Sequence, residues 1–132
     1  MKKVITGLCL GFAVSASFAS TVLTFNFPNP SKTKPYYVSM NMNGHDAGMN
    51  KMAAKSTDNT ATISQKEIAK FIAEHQGYFN IGSNTATFYK CDQNSPCNED
   101  TKVSQYTKSF NLSEKGKVYT ATPNVVNVVW KK

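Results

Sequence analysis

The sequence predicts a mainly β chain with one α-helix, built as a small antiparallel β-sandwich or curled sheet with the helix packed on it. Three observations lead there. Short runs alternate apolar and polar residues with a period of two. Proline, glycine and asparagine punctuate those runs at short intervals. One segment carries a full helix-start signal followed by apolar residues at helical spacing. The strand number, six or seven, matches an immunoglobulin-like sandwich.

The first twenty residues read as an address rather than as structure. Met1-Lys2-Lys3 is cationic, Val4 to Ala16 is largely apolar, and Ser17-Phe18-Ala19 places small residues before a cut ahead of Ser20. This is the charge, apolar core and small-residue plan of a secretory signal peptide over 1–19, with a core too short to span a bilayer. Residues 20–132 then form one exported domain. Removing 19 of the 132 residues leaves 113. Lys2 and Lys3 leave with the address, so 15 lysines become 13 and the net charge of +7 becomes +5. No transmembrane segment remains after cleavage, and the short cationic start points to a bacterial periplasmic or secreted protein.

Thr21 to Phe27 alternates, with Leu23, Phe25 and Phe27 on one face, and Pro28 and Pro30 end that strand. A second alternating run follows Pro35. Tyr36, Val38, Met40 and Met42 share one face; Tyr37, Ser39 and Asn41 share the other. Asn43 to Thr60 is rich in Asn, Gly, Ser, Lys and Thr and is expected to be a long loop. Ser64 and Glu67 form a capping box, Ile68, Phe71 and Ile72 follow at helical spacing with His75 on the same stripe, and Gly77 is the expected stop. Thr85 to Cys91 and Val103 to Leu112 read as strands. A turn at Glu114-Lys115-Gly116 leads to Lys117–Thr122, and Pro123 separates that strand from Val125–Trp130. The valine pairs 125–126 and 128–129 predict a last strand covered on both faces.

Cys91 and Cys97 are the cysteines left after the address, close together in a polar, turn-forming segment. An even count behind a signal peptide predicts a disulfide, which in the chain-entropy model stabilises by about 2.4 kcal/mol for so short a loop. The spacing is not that of a catalytic dithiol.

The most specific chemical lead is the segment Met40 to Met52. It holds Met40, Met42, Met49 and Met52, every methionine after the address, together with His45. Thioethers are soft ligands suited to Cu(I) and Ag(I), and His45 would add a borderline donor. The competing reading is core packing, a common use of methionine. No other cofactor is implied.

Other chemistry is poorly supported. Two histidines without a nucleophile and orienting group leave no catalytic set, so the chain is expected not to be an enzyme. The carboxylates Asp92, Glu99 and Asp100 lack calcium-loop spacing. The chain has no arginine, its lysines are dispersed, and it carries no aromatic–basic motif, so nucleic acid is not an expected partner. The function expected is a small exported non-catalytic binding or protein-interaction module whose partner is a protein or another envelope component, with the 43–60 segment as the leading surface. The first alternative is a periplasmic Cu(I)/Ag(I)-binding protein using the Met/His cluster. A weaker one is a small secreted hydrolase or hydrolase inhibitor.

Overall fold

Leu23, Phe25 and Phe27 alternate into the core as the sequence requires, and Phe25 and Phe27 meet Phe88 edge to face at ring separations of 5.0 and 5.3 Å. Those contacts join two sheets. The computed structural model describes residues 20–52, 59–93 and 95–131, without the side chains of 49–52. The expected signal peptide at 1–19 lies outside the described residues. No helix among the described residues is long and apolar enough to cross a membrane.

In chain order the elements are β1 (Thr21–Asn26), β2 (Tyr36–Met42), β3 (His45–Met52), β4 (Thr60–Ser64), α1 (Gln65–Glu74), β5 (Gly82–Cys91), β6 (Ser104–Lys115), β7 (Val118–Thr122) and β8 (Val125–Asn127). One sheet has the order β4-β1-β8 and the other β3-β2-β5-β6-β7. Over the described residues the fold is thus a mainly antiparallel sandwich with a single helix, as the alternation predicts. One pair departs from antiparallel: β8 runs parallel to β1, with Thr24, Phe25 and Asn26 opposite Val125, Val126 and Asn127.

The helix forms where its caps dictate. The Ser64 hydroxyl accepts from the Glu67 N–H at 3.1 Å, and the Ser64 N–H donates to the Glu67 carboxylate at 2.9 Å. Ile68 is fully buried, with Phe71 and Ile72 packed against the core. The helix ends earlier than the stripe suggests. His75 is its C-cap, exposed to solvent, and donates its backbone N–H to Phe71 O.

The expected 43–60 loop is a correction. His45–Met52 is an eight-residue strand paired with β2 through a turn at Asn43-Gly44, whose φ values are 53° and 87°. Positive φ at both central positions matches the right-handed strand twist, and Asn-Gly is the pair that adopts it most readily. β4 occupies the end of the same stretch. Residues 53–58 lie outside the described residues.

The last strand is a second correction. Val126 and Val128 are buried, but Val125 and Val129 are 45% and 64% exposed. Valine doublets read as covered on both faces, yet here one face only meets the opposite sheet. The Cys91–Cys97 disulfide is present and buried, with a Cα separation of 5.7 Å.

Candidate interaction surface

The methionine cluster divides. Met40 and Met42 lie on the inward face of β2, 5% and 0% exposed, within the core that Tyr36 and Val38 begin. Their thioethers therefore pack. Met49 and Met52 fall on β3 opposite Ser39 and Tyr36; their side chains lie outside the described residues. His45 faces Met42 in register, is exposed, and stacks on Tyr78 with ring centroids 4.8 Å apart. His75 meets the same tyrosine edge-on at 5.6 Å, and Phe71 stacks on it at 5.5 Å. Both histidines thus serve an aromatic stack that ties the hairpin tip to the end of the helix. Gly77 lies beneath it at φ 95°, a conformation that L side chains rarely adopt, and a Cβ there would meet His45 Nε2 at 2.7 Å and push the ring aside.

A network of asparagines fixes this end of the sandwich. Asn84, 2% exposed, accepts from the Asn80 N–H and from Asn43 Nδ2 at 2.8 Å each, and its own Nδ2 donates to Asn80 O and Gly82 O. Asn43 also donates to Tyr78 O and accepts from the Thr85 N–H. Every polar atom of the buried amide is satisfied, so the cost of its burial is offset. Nothing in the sequence pattern marks Asn84 beyond its place in an otherwise alternating strand.

Asp92, Glu99 and Asp100 are exposed in the disulfide region and do not converge. Asp92 pairs with Lys34 at 3.7 Å, an exposed contact of little energetic weight. Among the described residues no group of three or more His, Cys, Asp or Glu side chains is arranged to hold a metal ion.

The sheet edges are treated differently from one another. On β7, Gln65 at the start of α1 donates through Nε2 to Tyr119 O at 2.7 Å and accepts at Oε1 from the Tyr119 N–H at 2.8 Å. Its side-chain amide stands where the backbone of a neighbouring strand would. β3 has a register shift at Met40/Asn41 and includes Asp46 and Lys51; bulges and charges both discourage pairing at an edge. β8 has neither device. It pairs with β1 on one side, its residues Val125-Val126-Asn127 and the following Val128-Val129-Trp130 are uncharged, and the segment lies between Pro123 and Lys131. Asn124 O accepts from Thr24 and the Val128 N–H donates to Asn26 O. Alternation therefore turns the N–H and C=O groups of Val125, Asn127 and Val129 away from β1.

The tail beyond β8 is held in place. Trp130 stacks on Phe27 and meets Tyr36 edge-on, with centroids 6.3 and 5.8 Å away, and Ser104 Oγ donates to Lys131 O at 2.6 Å. The Tyr36 hydroxyl donates to Pro28 O, and burial raises its pKa above the ordinary tyrosine value of 10.0. Comparison of the chain with protein-family models, curated proteins and solved structures gives no match.

Proposed function

We propose that this protein is a small, exported, non-catalytic protein-interaction module of the bacterial periplasm or extracellular space, and that it takes an extended segment of its partner along the edge of β8 that no described strand pairs with. The observation that carries this reading is the contrast between the β7 edge, capped by Gln65, and the uncharged β8 edge. The Gln65 side chain occupies β7 at Tyr119. The β8 edge combines three outward amides with high β-propensity and no charge, the features that favour strand addition. The buried disulfide supports the exported setting, because such bonds persist in oxidising compartments.

The test places a photoreactive side chain at Val129, and separately at Thr120 on β7, in cells that secrete the protein. The expected result is a discrete cross-linked species from position 129 and none from position 120. Equal yields at both sites, or no product from 129, would overturn the reading.

The burial of Met40 and Met42 favours packing over the Cu(I)/Ag(I) alternative, and no observation favours a hydrolase or hydrolase inhibitor.

A further inference from the structure

Resting on the edge-binding reading above, we infer that the segment β8 accepts is β8 of a second copy of this chain, antiparallel to it across a two-fold axis through Asn127. The argument begins in the sequence. Val125-Val126-Asn127-Val128-Val129 reads the same in both directions. An isologous contact must be self-complementary, residue i meeting j and j meeting i, and a run symmetric about Asn127 meets that condition with valine on valine at every flanking pair. Pairing centred on Asn127 sets Val125 against Val129, Val126 against Val128, and Asn127 against itself.

The backbone agrees with that register. The groups of Val125, Asn127 and Val129 that point away from β1 are the ones an antiparallel neighbour centred on Asn127 would use. They supply about six hydrogen bonds across the axis. The side chains agree as well. Val125 and Val129 are the exposed apolar residues of the segment, at 45% and 64%, and in this register they cover each other on the outer face. Val126 and Val128 are already buried, so the inner face continues from one core toward the other.

A polar row leads to the axis. Thr60 Oγ1 donates to Asn26 Oδ1, and Asn26 Nδ2 donates to Asn127 Oδ1, each at 3.0 Å. The Oδ1 of Asn127 is engaged from its own sheet, which leaves its Nδ2 to donate across the two-fold to Asn127 of the second copy. A central asparagine fixes register, as polar residues do in coiled-coil seams. A one-residue slip would set both amides against valines. The product is one continuous sheet in the order β4-β1-β8-β8-β1-β4.

Sedimentation equilibrium on the whole secreted protein tests this. Wild type is expected to populate a reversible dimer. Asn127→Pro removes an outward N–H while sparing the amides of Val126 and Val128 that serve β1, and is expected to give monomer. Val129→Lys, at a position too exposed to endanger folding, is expected to weaken the dimer about tenfold, since two symmetric cross-strand pairs are lost. Val125→Glu combined with Val129→Lys is expected to recover it, because Glu then faces Lys twice across the axis. The pattern of loss and recovery is specific to the antiparallel register; a folding defect in Val129→Lys would not be cured by a second charge. A wild type that stays monomeric to millimolar concentration, a dimer insensitive to Val129→Lys, or a double variant no tighter than the single one would overturn the inference. An extended Thr-Val-Thr-Val-Thr-Val-Thr peptide separates the two readings. A monomeric wild type that binds this peptide, with Asn127→Pro abolishing the binding, retires self-pairing and keeps the edge. Failure of both retires both.

Discussion

Asn84 shows how much one buried amide organises. It holds the start of β5, the 78–80 loop and the β2–β3 turn through four hydrogen bonds to Asn43, Asn80 and Gly82. Replacing it with alanine leaves several of those partly buried partners unpaired, at an expected cost of about 1–3 kcal/mol. Chemical denaturation of Asn84→Ala measures this, and a loss below about 0.5 kcal/mol would mean that water replaces the side chain. Tyr36 makes a different demand. Its phenol is buried, its pKa is raised, and the folded state therefore holds the proton more tightly than the unfolded chain does. That contribution is fully present below about pH 10 and is lost as pH rises through the higher folded value. Stability should accordingly decline above that pH, and Tyr36→Phe should flatten the decline while lowering stability at neutral pH. Parallel slopes for the two proteins in alkaline unfolding titrations would assign the effect to another group.

The two hairpins differ at the level of the element. Asn43-Gly44 suits its left-handed turn, whereas the β6–β7 turn places Gly116 and Lys117 at φ 57° and 71°. Lysine has no side-chain means of favouring that region, and Lys117→Asn should stabilise by about 0.5–1 kcal/mol. Thermal unfolding reads this directly, and an unchanged midpoint would show that the flanking ladder dominates the turn. The elements also show what was legible in the sequence and why. The Ser64–Glu67 box announced the helix because capping is local, and the alternation of β1 and β2 announced their buried faces because each has one solvent side. β3 was hidden because His45–Met52 contains no β-branched residue and no Phe, Tyr or Trp; the Asn43-Gly44 pair was the available sign. The Met40–Met42 half of the proposed metal site followed the same buried stripe as Tyr36 and Val38, so periodicity already contained its packing role. The open edge of β8 was not readable, because a valine-rich run looks alike whether one face or two are covered. The Gln65–Tyr119 clamp joins residues 54 positions apart, beyond the reach of any local pattern.

For the whole molecule, the same division explains what composition could say. Dispersed lysines and the absence of arginine argued against a nucleic-acid surface without saying which surface is used. The proposed edge depends on which strands lie at the margins, a property of topology alone. Topology has a consequence in time as well. The first described strand is flanked by the last: Asn26 bonds to Asn127, 101 positions further along the chain. β1 meets β4 across a much shorter stretch of chain than the parallel partner that completes its sheet. Such long-range pairing folds slowly and late. Closure of the β4-β1-β8 sheet is therefore the pairing expected to form last as the domain folds.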